Sequence, residues 1–512
     1  MFSRRLFLAS SSAALWLPAM AQTQSDKYHF TLGVASGSPR DTSVILWTRL
    51  APEPLRGGGM PDGICNVRYR VCRDDAMKQE VRSGVVRTAH TKAHSVHLKL
   101  EGLEPGREYF YQFYYGQDES PVGRTRTTDR NAPSAKLALA NCQAWETGHY
   151  AAYRDLAEWT PDAVIHVGDY IYEGGAAASL GPVRREVMGH PVEFEIVRRH
   201  NSAEIVTLND YRNRYALYKT DPHLQAAHAT APWIVAMDDH EIDNNWAGMT
   251  PQDPEKQTGV EFALRRQAAL QAYYEHMPID LPPSLTGLGG ELQMYGAYRF
   301  GPAQVNLLDT RQYRSDQPCG DGINVVSACE EAQNPARTMT GQVQEDWLLH
   351  QLSSSDAKYN VMAQQTWFAP YNYTDTPEGI ARNMDQWDGY PVQRQRLIDA
   401  MAQDVSNPII LSGDWHCGSA MTVHADPDNP KSDLVAHNFA ATSISSICSW
   451  YGRLDQARDA NPHLRYMNGE IRGYIRFTAD ERDWTSTYRR VETPSDPESR
   501  VGTDAELKLT DM

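Results

Sequence analysis

The sequence lacks any run of basic residues, and its overall charge is acidic. Its 512 residues contain 65 Asp and Glu against 49 Lys and Arg, which gives a formal net charge of −16. Such a chain has no surface suited to following a phosphate backbone, so we expect no nonspecific nucleic-acid binding. The same acidity repels anionic substrates at long range. Any phosphate chemistry therefore needs local positive charge, most simply from metal ions.

Long apolar runs are also missing, which argues against a membrane span. The N-terminal apolar stretch is shorter than the ~20 residues that a spanning helix needs, and no later stretch approaches that length. This stretch follows Arg4 and Arg5 and ends at Ala19-Met20-Ala21, a pattern typical of a twin-arginine signal peptide. An ordinary secretory signal is the alternative. We predict a signal over residues 1–21, export by the twin-arginine machinery, and a periplasmic or secreted protein.

Cysteine is scarce, and the seven cysteines leave one without a partner. Exported proteins commonly form disulfides, although sequence alone does not prove connectivity. The suggested pairs are Cys65–Cys72, Cys319–Cys329 and Cys417–Cys448. Cys142 then remains, and its position after a predicted strand favours a metal ligand over a spare thiol.

Residues 28–128 show short alternating strands and no helical period of useful length. A turn at Pro105-Gly106 precedes an alternating aromatic strand, Tyr109–Phe113, which is the layout of a tyrosine corner. We predict a fibronectin- or Ig-like all-β sandwich here, with another small β-domain as the alternative. The polar run Thr125–Pro133 is interpreted as a linker.

From residue 135 to 492, short continuous apolar runs alternate with helix-length segments, which indicates an α/β layer structure. The predicted strands are Lys136–Ala140, Ala163–Val167, Trp233–Met237, Val305–Leu308, Asn360–Ala363 and Ile409–Leu411. The predicted helices are Tyr150–Trp159, Glu345–Leu352 and Val392–Gln403. Residues 493–512 are interpreted as a polar tail.

Polar clusters follow these strands, and ligands of α/β sheets collect at the carboxyl ends of strands. The clusters are Asn141-Cys142, Gly168-Asp169, Asp238-Asp239-His240, Asp309-Thr310-Arg311, Gln364-Gln365 and Gly413-Asp414-Trp415-His416. Each alone is weak evidence. Their joint order of Gly-Asp, Asp-His-Glu and Gly-Asp-x-His is the ligand order expected of a two-metal phosphoesterase.

At these residues the sequence resembles the alkaline phosphatase D family, the PhoD-type branch of the calcineurin-like metallophosphoesterases. The matching segments are Gly33–Gly37, Ser43–Arg49, Asn141–Gln143, Val167–Glu173, Tyr211–Thr220, Trp233–Asn245, Leu308–Gln317, Asp385–Tyr390 and Ser412–His416. They span nearly the whole mature chain. The resemblance implies a layered metallophosphoesterase β-sandwich flanked by helices and preceded by the N-terminal β-sandwich.

The resemblance also implies a set of metal ligands. Fe(III) would be held by Cys142, Asp169, Tyr172 and His416. One or two Ca²⁺ ions would be held by Asp169, Asp239 and Asp414, since carboxylates suit Ca²⁺ whereas a thiolate and a phenolate suit ferric iron. Zn²⁺ is the less favoured alternative to iron. Asp239 stands where the wider superfamily has Asn, so Asn244 competes for that position.

Four further side chains are candidates for the metal site or the pocket: Gln364, Gln365, Asp385 and Asp388. For Asp388 a helix N-cap is the alternative. Arg311 either clamps phosphate or braces acidic loops, and Asn244 is a second candidate substrate contact.

The expected reaction is hydrolysis of phosphomonoesters, phosphodiesters or both. A metal-bound hydroxide would attack in line, and His240 would protonate the leaving group. A phospholipase D-type phosphodiesterase and a non-catalytic metal-containing binding protein are the alternatives. The oligomeric state is left open.

Overall fold

The computed structural model describes residues 27–512 apart from residues 322–324, 328, 377–378 and 404. The predicted signal peptide lies outside the described residues. The first eight strands are β1 (Val34–Gly37), β2 (Ser43–Arg49), β3 (Ile64–Cys72), β4 (Glu80–Ala89), β5 (Ser95–Glu101), β6 (Glu108–Tyr115), β7 (Asp118–Glu119) and β8 (Gly123–Arg126).

The strands of the following segment are β9 (Ser134–Ala140), β10 (Ala163–His166), β11 (Gly181–Val187), β12 (His190–Ile196), β13 (Pro232–Val235), β14 (Gly296–Phe300), β15 (Ala303–Leu307), β16 (Val325–Ser327), β17 (Tyr359–Ala363), β18 (Tyr373–Thr376), β19 (Gly379–Asn383), β20 (Pro408–Ser412), β21 (Gly418–His424), β22 (Leu434–Ala440), β23 (Leu464–Asn468), β24 (Gly473–Asp480), β25 (Trp484–Val491) and β26 (Val501–Lys508). The helices are α1 (Ala151–Trp159), α2 (Leu208–Lys219), α3 (Pro222–Thr230), α4 (Gly259–His276), α5 (Pro318–Asp321, a short turn), α6 (Gln342–Ser353), α7 (Pro391–Met401) and α8 (Tyr451–Gln456).

The N-terminal residues form the predicted β-sandwich. One layer is the sheet of β3, β4, β6, β7 and β8, and the other contains β1, β2 and β5. Apolar side chains of both layers share one core that includes Val44, Leu46, Val67 and Phe113. The tyrosine corner is present, because the backbone amide of Glu104 donates to the hydroxyl of Tyr109 at 2.9 Å.

The second layer of this sandwich continues into the neighbouring sheet. Strand β1 pairs in parallel with β13, so that the order of the nine-stranded sheet is β26-β25-β24-β9-β10-β13-β1-β2-β5. All four residues of β1 are buried. The sequence pattern therefore changes near residue 130 from all-β to α/β, but strands before and after this point belong to one continuous sheet.

The predicted layered α/β fold is confirmed. The nine-stranded sheet packs on a seven-stranded sheet of order β14-β15-β17-β20-β22-β21-β23, and the core between them contains Leu137 and Ile165 from one sheet and Val305, Val361 and Ile409 from the other. Helices α1 to α4 cover the first sheet, while α6 and α7 cover the second. The six predicted strands and three predicted helices are all present within a few residues of their expected bounds.

The prediction for the C-terminal end of the chain is wrong. Residues 493–512 are not a tail, because β26 pairs antiparallel with β25, and Val501, Ala505 and Leu507 pack on the cores while polar residues face outward.

None of the described helices combines the length and the apolar character needed to cross a bilayer.

The cysteine pairing is also only partly as predicted. The Cys319–Cys329 disulfide is confirmed. Cys65 and Cys72 are free because both lie on β3, where a rise of about 3.3 Å per residue puts them about 23 Å apart. Cys417 and Cys448 are both buried free thiols, so their predicted bridge is absent. Cys142 is free and buried.

Candidate metal centre

Four of the predicted ligands have an unusual backbone conformation. Cys142, Asp169, Asp414 and His416 have φ angles of 51°, 55°, 59° and 52°. Non-glycine residues rarely adopt this left-handed region, and each such residue costs on the order of 1–3 kcal/mol. Because all four follow strands β9, β10 and β20, the strain is concentrated where the chain turns side chains toward one point.

The two glycines of the Gly-Asp motifs allow this convergence. A Cβ atom on Gly168 would lie 2.3 Å from Cβ of Asp238, and one on Gly413 would lie 2.0 Å from Nδ2 of Asn141. No side chain fits in either position. The strand ends can therefore approach closely only because these residues are glycine.

The four predicted iron ligands meet in one place. Cys142, Asp169 and His416 offer ligand atoms within 4.8 Å of one another. The hydroxyl of Tyr172 lies 2.8 Å from Oδ2 of Asp169 and 3.1 Å from Nε2 of His416. One sulfur, one carboxylate, one phenol and one imidazole thus surround a common point.

Neighbouring groups fix the orientation of these side chains. Nδ1 of His416 lies 2.9 Å from the carbonyl oxygen of Ile447, so Nδ1 carries the proton and Nε2 presents its lone pair to the site. The hydroxyl of Ser446 lies 2.7 Å from that of Tyr172. Ser446 was not predicted from the sequence, because it carries no strand-end signal of its own.

Two more groups of ligand atoms adjoin the first one. Asp169, Asp239 and His240 form the second group, and Asp238, Asp239 and Asp414 form the third. Asp169 is shared by the first two groups and Asp239 by the last two. Oδ2 of Asp239 accepts from the backbone amide of Asn245 at 2.8 Å. Its buried Oδ1 lies 3.6 Å from Nη2 of Arg311 and has no hydrogen-bond partner among the described residues. A buried carboxylate oxygen that accepts no hydrogen bond is suited to be a ligand of a cation.

The electrostatics of the site also fit cations. Burial raises the pKa of Asp414 to about 8, and the charge of Asp239 adds to this rise. Burial, followed by the charges of Asp169 and Asp414, raises the pKa of the Cys142 thiol well above its usual value. Like charges held together out of water favour the neutral forms unless a positive ion compensates them. The donor set therefore suits one cation among sulfur, phenol and imidazole and another among carboxylates.

His240 lies beside these groups and is held by Glu173. Nδ1 of His240 is 2.7 Å from Oε2 of Glu173, whose Oε1 accepts from the amide of Asn244 at 2.9 Å. Burial alone would lower the pKa of His240, but the charges of Glu173 and then Asp169 outweigh it and raise the pKa well above its usual value. The His240 ring also packs on Tyr172 at 4.2 Å between ring centres. This role of Glu173 was not predicted from the sequence, although Glu173 directly follows the predicted ligand Tyr172.

Glu241 joins two of the strand-end loops. Its carboxylate accepts from the backbone amides of Tyr170 at 2.5 Å, Asp169 at 3.0 Å and Asp238 at 2.8 Å. These contacts hold the loop after β10 against the loop after β13. The Asp-His-Glu motif that contains Glu241 was identified in the sequence, but the role of Glu241 in positioning the two loops was not predicted.

Arg311 lies behind the carboxylates and is fully buried. Its Nε donates to Asp238 at 2.5 Å and its Nη1 donates to Asp385 at 3.0 Å. Its Nη2 lies 3.6 Å from Asp239. Of the two interpretations left open by the sequence, this geometry favours the brace over the phosphate clamp.

Three other sequence candidates lie away from the ligand groups. Gln364 bonds to Ser412 and Trp387, and Gln365 bonds to Thr310 and to the carbonyl oxygens of Met237 and Leu308. These contacts tie strand ends together. Asp388 pairs with Arg382 at 3.1 Å and Arg394 at 2.6 Å, and it is not an N-cap, because α7 begins at Pro391 with Tyr390 as its N-cap residue. Asp385 does line the cleft.

The ligand groups open into a cleft of about 300 Å³. The polar residues that line it include Asp169, Asp239, His240, Asn244 and Asp414. Its lining also includes Met188, Tyr373, Trp415, Trp450 and Arg453. The protein thus has a layered α/β fold, overlapping ligand groups at its strand ends and an open cleft beside them. These features are typical of the metal-binding α/β proteins to which metallophosphoesterases belong.

Comparison with known proteins identifies the family. Residues 137–488 match the PhoD-like phosphatase family, and residues 16–129 match the N-terminal domain of PhoD-like phosphatases. The chain is 42% identical over 509 residues to alkaline phosphatase D of Bacillus subtilis (strain 168), covering 98% of this chain and 84% of that protein. A solved structure of PhoD matches with a TM-score of 0.87 and 41% identity, covering 95% of this chain and 91% of that one. The chain belongs to the PhoD-like phosphatase family and is a hydrolase of phosphoric ester bonds.

Proposed function

We propose that this protein is an exported phosphoesterase that uses two kinds of cation to hydrolyse phosphomonoesters, phosphodiesters or both. The observation that supports it most directly is the overlap of the three ligand groups through Asp169 and Asp239. Shared carboxylates hold cations a few ångström apart, which is the spacing used in two-metal hydrolysis. The Arg4-Arg5 signal pattern supports export by the twin-arginine route.

The donor chemistry supports different ions in the two parts of the site. Cys142, Tyr172 and His416, together with Asp169, would hold Fe(III), with Zn²⁺ as the weaker candidate. Asp239 and Asp414 offer only oxygen and would hold one or two Ca²⁺ ions with Asp169. When bound, such cations supply the positive charge that polarises a phosphoryl group and acidifies a water molecule.

His240 would act as the general acid. Because Nδ1 is held by Glu173, Nε2 is the nitrogen that can pass a proton to the departing alkoxide oxygen. A positioned acid of this kind contributes about 10²–10⁴ in rate. Glu173 acts through His240 and is therefore a positioning residue.

The test is the His240→Ala variant, measured on substrates with good and poor leaving groups. We expect the variant to keep its metal content and to lose far more kcat on an alkyl phosphate than on p-nitrophenyl phosphate, whose leaving group needs little protonation. Loss of metal together with activity would instead make His240 a ligand of the second group. Equal losses on both substrates with metal retained would exclude the acid role.

The wild-type enzyme tests the reaction class itself. EDTA-sensitive turnover of p-nitrophenyl phosphate or bis-p-nitrophenyl phosphate is the expected result. Absence of turnover in metal-loaded protein would favour the binding-protein alternative, and faster turnover of phosphatidylcholine than of both would favour the phospholipase alternative.

A further inference from the structure

A β-hairpin contributes an unusual residue, Met188, to the lining of the cleft. Strands β11 and β12 form a two-stranded sheet in which Val187 pairs with His190, so the turn consists of Met188 and Gly189. Their φ angles are 51° and 79°. Turns with two positive φ angles favour Asn, Asp or Gly, and a bulky residue there costs on the order of 1–2 kcal/mol. Met188 is nonetheless 48% exposed, so burial in the fold does not compensate this cost.

Contacts with the start of α8 hold the hairpin tip in place. The sulfur of Met188 lies 3.6 Å from Nη1 of Arg453. The ring of His190 lies against Gly452, where a Cβ atom would be 2.7 Å from the ring. The position of Met188 is thus set by the same segment that carries Trp450 and Arg453 on the cleft wall.

Aromatic rings line the same cleft as Met188, and one of them contacts a predicted metal ligand. The ring of Trp450 stacks on the predicted ligand His416, with 5.3 Å between centres and 29° between planes. The guanidinium of Arg453 lies 5.3 Å from the centre of the Tyr373 ring. The cleft lining between the predicted ligand His416 and the hairpin tip is therefore aromatic and also carries the Arg453 guanidinium.

We infer that Met188, Tyr373 and Trp450 form a subsite for the leaving group and select phosphate esters of aromatic or other bulky apolar alcohols. This inference rests on the proposed function. With the phosphoryl group beside Asp169 and Asp239, the alcohol must extend from His240 into the remaining cleft. Because Met188, Tyr373 and Trp450 all line this cleft, a ring or alkyl group that packs against them leaves water and gains contact area.

The experiment compares 3-phenylpropyl phosphate with propyl phosphate. Both release a primary alkoxide of similar basicity, so the two substrates differ in the ring alone. We expect the metal-loaded wild-type enzyme to prefer the phenylpropyl ester by about tenfold or more in kcat/KM, since one apolar contact in a pocket already gives this discrimination.

The Met188→Asn variant distinguishes an effect on substrate preference from an effect on protein stability. Asn is favoured at a positive φ, so the thermal midpoint should stay or rise, while the preference for the ring should fall by about threefold or more. Met249→Ala is the matched control, because Met249 is 42% exposed and lies outside the set of cleft-lining residues. It should retain the wild-type preference.

The outcomes are distinct. Equal kcat/KM for the two esters in the wild-type enzyme would overturn the subsite, and so would an unchanged preference in a folded Met188→Asn variant. Hydrolysis of neither ester, nor of p-nitrophenyl phosphate, by metal-loaded protein would instead contradict the proposed function.

Discussion

Replacing Arg311 by methionine tests whether this residue is a brace or a phosphate clamp. The guanidinium is fully buried and donates to Asp238 at 2.5 Å and Asp385 at 3.0 Å. Removing one member of a buried ion pair leaves an uncompensated charge and costs about 3–5 kcal/mol. We therefore expect Arg311→Met to lower the free energy of unfolding by about 3–5 kcal/mol.

Equilibrium unfolding in urea measures this loss. The double variant Arg311→Met/Asp238→Asn should recover part of the stability, because it removes one of the orphaned charges. Arg130→Met is the matched control, since the Arg130–Asp356 pair is exposed on both sides. Its loss should stay below about 1 kcal/mol.

A different pattern would refute the brace. If Arg311→Met unfolds at nearly the same urea concentration as the wild type while kcat/KM falls a hundredfold or more, then Arg311 stabilises bound phosphate and the buried pairs contribute little. If the double variant is less stable than the single one, the assumed charge imbalance at Asp238 is wrong.

Three further predictions concern other buried groups. Glu173→Gln should keep its metals and lower kcat about tenfold or more on alkyl phosphates, because His240 loses its charged partner; an unchanged kcat would remove Glu173 from the mechanism. Cys142→Ala should lose the metal of the first ligand group in elemental analysis, and unchanged iron content would exclude Cys142 as a ligand. Burial lowers the pKa of Lys219 to about 7. The unfolded chain therefore binds more protons between about pH 7 and pH 10.5, so stability should rise with pH across this window and Lys219→Met should flatten the rise, as urea unfolding at several pH values would show.

The strand-end clusters could be predicted from the sequence because their signal is local. A short apolar run followed by Gly-Asp or Asp-Asp-His marks a buried strand and its carboxyl end, and the structure brings Cys142, Asp169, Asp239 and Asp414 together as expected. The contact of Glu173 with His240 could not be predicted in this way, since it spans 67 residues and depends on how two loops fold.

Other features depend on packing that periodicity does not reveal. Strand β26 has a polar outer face and a partly buried inner face. Its polar residues made the segment look like a tail in the sequence. The pairing of Cys65 with Cys72 looked favourable from their short separation, but an extended strand keeps such residues apart. The burial of Arg311 decides whether its guanidinium contacts substrate or protein carboxylates. Neighbouring residues in the sequence do not determine this burial.

The shared nine-stranded sheet has a consequence for the order in which the chain can fold. Strand β1 comprises residues 34–37, yet its parallel partner begins at Pro232. During synthesis from the N-terminus, β1 therefore has only β2 beside it until almost two hundred further residues have been made, and its other edge stays open. Non-local parallel pairing of this kind forms slowly because a long loop must close first. Within the described chain the N-terminal sandwich is thus made first, but it is completed only when the strand that leads to Asp238 and Asp239 docks against it.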